Sequence, residues 1–105
     1  MRYLTVQDLL WINLQVTQKS NPFEFDKLEE SVNYQYGYGG SCDVLAQAEN
    51  FLSGFKRNAP FSAGNDKTAE VAHRAFLLLN GQGKSLGEHQ GHELSVQDAI
   101  LSVLG

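Results

Sequence analysis

A stripe of apolar residues at helical spacing restricts the fold of this chain more than any other feature of its sequence. The stripe consists of Val44, Leu45, Ala48, Phe51, Leu52 and Phe55. Its spacing follows the period of about 3.6 residues that marks an α-helix. We expect Ser41 to cap this helix, and Lys56 and Arg57 lie in its last turn, where positive charge complements the helix dipole. No strand-like alternation longer than about four residues occurs in the chain.

Two earlier segments also carry helix signals. Residues 6–17 hold a wide apolar surface, and Thr5 and Asp8 are placed to form a capping box at the start. Residues 22–32 carry apolar residues at helical spacing, and the pair Asn21-Pro22 stands at their start. Asparagine is a good cap and proline suits the first helical position, so this pair predicts the start of a second helix.

Two later segments complete the predicted helices. Residues 65–80 are predicted to form a helix whose inward face consists of Ala69, Ala72, Phe76 and Leu79, and small residues in it indicate close approach of a neighbouring helix. The small residues are Ala69, Ala72 and Ala75. Ser95 is placed to cap a short last helix. Together these patterns predict an all-α fold, in which five to six helices form one compact bundle and residues 1–105 form a single domain.

The composition excludes several functional classes. The chain has 105 residues, 42% of them hydrophobic, and a formal net charge of −4. Because nucleic-acid affinity is built from clustered cations, we expect no nucleic-acid partner. The longest apolar run, residues 75–79, is far shorter than the roughly 18 residues that span a bilayer, so we expect no membrane partner. The single cysteine, Cys42, allows no internal disulfide, and we expect no signal peptide; both favour a soluble cytoplasmic protein.

A glycine-rich aromatic segment follows the second predicted helix. The glycines in residues 37–40 are incompatible with a helix interior, so residues 33–40 are predicted to form an ordered loop. Its tyrosines are Tyr34, Tyr36 and Tyr38. Two interpretations remain open: the rings line a groove and contact a target, or they cover the edge of the core while their hydroxyl groups reach water.

Three other features suggest chemistry only weakly. Gly83-Lys84-Ser85 matches the end of a phosphate-binding P-loop, but it follows a predicted helix, and Leu78 stands where that motif requires glycine. Residues 88–93 hold two histidines and two glutamates, but Gly91 breaks any helix that would fix them, so we expect a solvated loop and no metal site. His73 lies inside a predicted helix, where a lone histidine is more often structural than catalytic.

The segment between the third and fourth predicted helices is the most informative one. It reads Ala59-Pro60-Phe61-Ser62-Ala63-Gly64-Asn65-Asp66-Lys67-Thr68-Ala69. A Gly-Asn pair at a helix start presents unpaired N–H groups at the positive end of the dipole, which suits a phosphate, and Lys67 adds a cation. Asp66 opposes this, because a carboxylate at the same place repels a phosphate. The alternative is a structural helix start in which Asn65 is the cap.

This segment resembles the signature of the Fic/Doc family, and of its death-on-curing branch in particular: His-x-Phe-x-Asp/Asn-Gly/Ala-Asn-Lys-Arg-Thr-Ala. Similar order and spacing extend from residue 3, through the glycine-rich segment, to residue 81. The resemblance implies a compact helical bundle whose signature loop binds a nucleoside triphosphate with magnesium. Fic members transfer AMP to a protein hydroxyl group, and Doc-type members transfer a phosphate to a translation factor.

Carried over position by position, the resemblance implies an active site that has lost its working side chains. Ala59 stands at the position of the histidine that acts as general base, and Ala63 at the position of the acid that holds the metal. Asp66 replaces a lysine and reverses the charge, whereas Lys67 replaces an arginine and keeps it. The positions that match the signature are Phe61, Gly64, Asn65, Thr68 and Ala69. Of the residues that the resemblance assigns to phosphate binding, Gly64 and Asn65 are unchanged and Lys67 keeps the positive charge.

Together with these substitutions, the resemblance implies a Doc-like domain without transfer chemistry, for which we expect no cofactor and no metal, and which acts by binding a protein. A partner of the antitoxin kind would place a helix in a groove on the bundle. One alternative is a weak AMP- or phosphotransferase that uses the Gly64-Asn65 pair and Lys67. Another is a structural or homo-oligomeric module in which exposed Tyr34, Tyr36 and Tyr38 make the contacts.

Overall fold

A computed structural model describes residues 2–36, 43–82 and 94–105, and it confirms the all-α prediction. Its helices are α1 (Val6–Thr17), α2 (Phe25–Asn33), α3 (Val44–Asn58), α4 (Asn65–Leu79) and α5 (Val96–Leu104). In these three ranges the extended backbone forms no strand, only an isolated antiparallel bridge between Phe23 and Phe61. None of the helices in the same ranges has the length and apolar character needed to cross a bilayer.

Helix α4 lies at the centre of the bundle, because its small side chains allow other helices to approach. It packs against α1, α3 and α5. Its fully buried alanines are Ala69, Ala72 and Ala75. Large rings fill the space that these alanines leave: Phe51 and Phe55 of α3 and Phe76 of α4 are fully buried. Each ring contributes about 1.5–3 kcal/mol of hydrophobic stabilisation relative to an exposed ring.

Two helix starts are confirmed as the sequence predicts them. At α1, the N–H of Thr5 donates to Oδ2 of Asp8 at 2.8 Å, and the N–H of Asp8 donates to Oγ1 of Thr5 at 3.2 Å. At α5, Oγ of Ser95 accepts from the N–H of Asp98 at 3.0 Å. In both cases the signal is local, because cap and partner lie three residues apart.

The predicted start of the second helix is wrong. Helix α2 begins at Phe25, and the backbone of residues 22–24 is extended and pairs with residues 60–62. The side chain of Asn21 does not cap a helix, because its Nδ2 donates to Oδ1 of Asn13 on α1 at 2.9 Å. A contact with another part of the chain thus overrides the local Asn-Pro signal.

The start of the third helix also differs from the prediction. Helix α3 begins at Val44, and its cap is Asp43, whose carboxylate accepts from the N–H groups of Leu45 and Ala46. The expected cap, Ser41, lies outside the described residues. Leu45, which we placed in the apolar stripe, is 56% exposed and so does not belong to the buried face.

Candidate functional site

The loop between α3 and α4, residues 59–64, holds two of the positions that the resemblance links to catalysis; we call it the signature loop. Ala59 ends α3 in the left-handed conformation (φ 47°, ψ 63°), and its N–H donates to the carbonyl of Phe55 at 2.9 Å. Ala59 and Ala63 are both exposed. Each presents a methyl group, which neither accepts a proton nor coordinates a metal. The loop therefore offers no general base and no metal-binding acid at these two positions.

The middle of the signature loop pairs with the connection between α1 and α2. The N–H of Glu24 donates to the carbonyl of Pro60, and the N–H of Ser62 donates to the carbonyl of Pro22, each at 2.9 Å. We call the paired segments, residues 22–24 and 60–62, the ribbon. The rings of Phe23 and Phe61 lie with their centroids 6.0 Å apart. Phe61 is buried, whereas Phe23 is 43% exposed, so the ribbon has one covered and one open side.

Asn65 holds the covered side of the ribbon. Its Oδ1 accepts from the N–H of Phe61 at 2.9 Å, and its Nδ2 donates to the carbonyl of Phe61 at 2.7 Å. The prediction that Asn65 caps α4 is wrong, since the N-cap is Gly64 and Asn65 is the first residue of the helix. Because both ends of the amide bind the loop's own backbone, Asn65 stabilises the loop and does not present its amide to a ligand.

Gly64 occupies a position that requires glycine for two reasons. Its backbone is left-handed, with φ at 77°. A Cβ atom at Gly64 would also lie 2.4 Å from Cγ2 of Thr17, which is closer than real Cβ contacts. The carbonyl of Gly64 accepts from the N–H of Thr68 at 2.9 Å and so begins the hydrogen bonding of α4.

A buried polar cluster ties the signature loop to α1. Nδ2 of Asn13 donates to the carbonyl of Ala63 at 3.0 Å and to Oγ1 of Thr68 at 3.1 Å. Asn21 donates to Oδ1 of Asn13 and, at 2.8 Å, to Oγ1 of Thr17. Sequence reasoning missed this cluster, although one signal was visible: Asn13 is a polar amide inside the apolar surface of α1. A buried amide in such a place requires hydrogen-bond partners.

Asp66 and Lys67 lie exposed in the first turn of α4, and among the described residues neither forms an ion pair. The carboxylate of Asp66 stands at the positive end of the helix dipole, where it stabilises the helix and repels a phosphate. These residues do not fit a nucleotide with magnesium, since Ala63 supplies no ligand and Asp66 opposes the charge of the phosphates. Across the described ranges, no three His, Cys, Asp or Glu side chains are grouped so that they could hold a metal ion.

A groove of about 400 Å³ lies beside the signature loop, between α1 and the ribbon. We call it the α1 groove. Its apolar lining comes from Leu10, Trp11, Leu14, Phe23 and Phe61. Leu14 is 42% exposed and Phe23 is 43% exposed, so two large apolar side chains face solvent at its mouth. Lys19 is the one charged side chain among the described residues that line it. Concave apolar surfaces of this kind mark binding sites.

The predicted tyrosine contacts divide into two groups. Tyr34 and Tyr36 are half-buried, so the prediction of exposed rings is wrong for both. The ring of Tyr34 lies against Gly54 of α3, and Cζ of Arg57 is 5.7 Å from its centroid. The ring of Tyr36 packs edge-to-face on Tyr3 with the centroids 4.5 Å apart. These contacts fit rings that cover the edge of the core. Tyr38 lies outside the described residues.

His73 is half-buried on α4 and faces α3. Its Nε2 lies 3.9 Å from Oε1 of Glu49. Burial lowers the pKa of His73 because it disfavours the charged ring; Glu49 opposes this effect, and Arg74 and Lys56 add to it. The histidine is therefore placed at a helix–helix contact and not at the signature loop. The other two weak features, residues 83–85 and 88–93, lie outside the described residues.

Comparisons with known proteins returned no match to this chain among protein-family models, curated proteins or solved structures.

Proposed function

We propose that this chain is a Doc-like domain without transfer chemistry, which acts by binding a segment of a partner protein in the α1 groove. The observation that carries the proposal is the position of this open apolar groove directly beside the signature loop. Phe61 belongs to both, since it lies in the loop and also lines the groove.

The absence of useful transfer chemistry follows from the side chains at the signature positions. Loss of a general base alone lowers a rate by about 10²–10⁴. Here Ala59 replaces the base, Ala63 replaces the metal-binding acid, and Asp66 brings a negative charge to the place where phosphates would bind. The remaining Lys67 is a single exposed cation, and the amide of Asn65 is bound to Phe61. The base, the metal-binding acid and the phosphate-binding charge would all serve the same transfer step, so the loss of one does not compensate for the loss of another.

Protein binding is supported by the apolar surface that remains. Leu14 and Phe23 both expose a large part of their side chains at one groove. Burial of a fully exposed side chain of this size contributes about 1.5–3 kcal/mol. Since about two-fifths of each side chain is still exposed, covering both contributes on the order of 1–2.5 kcal/mol, a minor part of the roughly 8 kcal/mol of a micromolar affinity. The wall of the groove is also pre-organised, because the capping box fixes the start of α1 and Asn13 joins the helix to the loop. A pre-organised wall loses little entropy when a partner binds.

Site-specific photo-crosslinking tests the proposal. A benzophenone amino acid is placed at position 14 in one variant and at position 45 in the control, since Leu14 and Leu45 are both exposed leucines but Leu45 does not line the groove. The protein captured at position 14 and not at position 45 is then purified and titrated against the unmodified chain. Saturable binding of that purified protein supports the proposal. Capture that is equal at both positions, or a purified protein that does not bind, contradicts it.

Calorimetry with ATP and magnesium separates this function from the transferase alternative. We expect no binding heat at millimolar nucleotide, because the signature positions do not fit the ligand. Saturable heat would instead favour a weak AMP- or phosphotransferase. Light scattering on the same preparation addresses the oligomeric alternative, and a stable oligomer that buries Leu14 would show that a second copy occupies the groove.

A further inference from the structure

We infer that the partner binds as an extended segment that adds a third strand to the ribbon at Phe23. The inference rests on the proposed function, and it names the backbone conformation and the side-chain chemistry of the partner. Three observations carry it: an unpaired backbone edge, two cavities beside the ribbon, and, at the α1 groove, a lysine that has no ion-pair partner among the described residues.

The unpaired edge follows from the hydrogen bonds of the ribbon. In an antiparallel pair, the N–H and carbonyl of one residue point to the same side, and those of the next residue point to the opposite side. The carbonyl of Pro22 and the N–H of Glu24 both bond to residues 60–62. The N–H and carbonyl of Phe23 therefore point away from the ribbon. They have no hydrogen-bond partner in the part of the chain that the structure describes.

The opposite edge of the ribbon carries an equivalent N–H and carbonyl, and there both groups have hydrogen-bond partners. Phe61 also directs its N–H and carbonyl away from the ribbon, and there both are bonded to the side-chain amide of Asn65. Asn65 thus takes the place of a neighbouring strand on that side. Phe23 has the same pair of groups without an equivalent of Asn65 among the described residues. An exposed donor–acceptor pair of this kind is a template for pairing with another extended chain.

A strand added at Phe23 would find a pocket on each face of the ribbon. Alternate side chains of a strand point to opposite faces. One face opens to the α1 groove, which Phe23 lines together with Trp11 and Leu14. A second depression of about 180 Å³ is lined by Phe23 together with Pro22 and Glu24. Because the side chains of Pro22 and Glu24 alternate with that of Phe23, we assign this depression to the other face. Consecutive residues of the added strand would therefore occupy the groove and the depression in turn.

The charges at the ribbon select the side chains of the segment. Lys19 lines the α1 groove, and its ammonium group has no ion-pair partner among the described residues. On the other face, Glu24 is already paired with Lys27 at 3.2 Å. The geometry fits a segment that places an apolar side chain in the groove and a carboxylate near Lys19. Because alternate residues share a face, the two side chains lie two positions apart.

A blocked seven-residue peptide tests this inference on the full chain. The parent probe is acetyl-Thr-Asp-Thr-Leu-Thr-Asp-Thr-amide, in which leucine is intended for the groove and an aspartate lies two positions away on either side. Proton–nitrogen NMR follows the amide of Phe23 and the indole N–H of Trp11 during the titration. We expect both signals to shift and saturate together, because the leucine would exchange two hydrogen bonds with Phe23 while its side chain contacts Trp11.

Backbone methylation of the peptide provides the matched pair. N-methylation of the leucine removes the donor to the carbonyl of Phe23, and we expect affinity to fall about 5- to 10-fold. N-methylation of the threonine after the leucine is the control, because that N–H points away from Phe23, and we expect affinity to stay within about twofold. Replacing both aspartates with lysine should weaken binding about two- to fivefold at low salt.

Two outcomes overturn the inference. Either the two methylated peptides bind equally well, or no peptide shifts the signals of Phe23 and Trp11 at millimolar concentration. The proposed function survives both outcomes if the crosslinked partner still binds and needs Leu14. It fails if capture is equal at positions 14 and 45, if the captured protein does not bind, or if that protein binds regardless of the groove, so failure of the binding mode and failure of the function are distinguishable.

Discussion

Asn65 and Phe61 are joined by two hydrogen bonds between one side-chain amide and the backbone of one residue, at 2.9 Å and 2.7 Å. This pairing closes one edge of the ribbon and keeps the signature loop against the first turn of α4. An asparagine that the resemblance assigns to phosphate binding thus has a structural task in this chain. Its task is supported by the neighbouring cluster of Asn13 and Thr68.

Replacing Asn65 with alanine tests that structural role. The substitution leaves the N–H and carbonyl of Phe61 without partners in a partly buried place, so we expect a loss of about 1–3 kcal/mol in the free energy of unfolding. Asn65→Asp keeps the hydrogen-bond acceptor and loses the donor, so we expect its free energy of unfolding to lie between those of the alanine variant and wild type. Urea denaturation followed by circular dichroism measures both. An alanine variant as stable as wild type would show that the pairing contributes nothing.

Gly64→Ala tests why the loop needs glycine. Left-handed backbone costs alanine about 1–2 kcal/mol, and the contact with Cγ2 of Thr17 adds to that cost. Gly81→Ala is the matched control, because Gly81 has a φ of 79° but nothing within 4 Å of the added atom. We expect Gly64→Ala to lower the thermal unfolding temperature more than the control, and Thr17→Ser in the same chain to recover part of the difference. Equal effects of the two alanine substitutions would contradict this explanation.

The stability of the fold should depend on the protonation of His73. Burial holds the pKa of His73 in the folded state below its usual value of 6.5, so the unfolded state binds the proton more readily. Its contribution to stability is therefore fully present above pH 6.5 and is lost as the pH falls from 6.5 through the lowered pKa. Urea denaturation of wild type and His73→Gln across this range isolates the effect, since both keep the other histidines. A wild-type stability that rises as the pH falls, or an equal pH dependence in the two proteins, would be inconsistent with a pKa that burial lowers in the folded state.

Introducing the side chains of the Fic/Doc signature tests whether their absence explains the weak nucleotide binding that we expect of this chain. We expect the triple substitution Ala59→His, Ala63→Asp and Asp66→Lys to bind ATP with magnesium, because it returns the base, the metal-binding acid and a phosphate-binding cation. Calorimetry compares it with the unmodified chain. If the triple variant releases no heat, the loop has diverged beyond these three positions.

Local signals in the sequence were sufficient for part of the fold. The caps Thr5 and Ser95 lie within three residues of their partners, and the helical period identifies α3 and α4 without further information. The start of α2 was mispredicted for the opposite reason. Asn21-Pro22 is a good local start signal, but Asn21 bonds to Asn13 on α1, and residues 22–24 pair with a segment far along the chain.

The same contrast between local sequence signals and contacts between distant segments applies to the candidate site. The resemblance assigns Ala59 and Ala63 to the positions of base and metal ligand, and this interpretation needs only the spacing of the signature. The role of Asn65 and the open edge at Phe23 depend on the ribbon, which pairs residues from two separate connections. No local pattern encodes such a pairing. The α1 groove was likewise not predicted in detail, because Leu14 and Phe23 are ordinary apolar residues until the fold places them side by side.

The most direct test of the account is a titration of the purified crosslinked partner into wild type, Leu14→Glu and Leu45→Glu, followed by the fluorescence of Trp11. Trp11 is the only tryptophan of the chain and lines the α1 groove, so it reports on that site. We expect wild type and Leu45→Glu to bind with equal affinity, and Leu14→Glu to bind at least about tenfold more weakly, because a charge would be buried against the apolar partner. Equal binding of Leu14→Glu and wild type would contradict the claim that this chain works through the α1 groove.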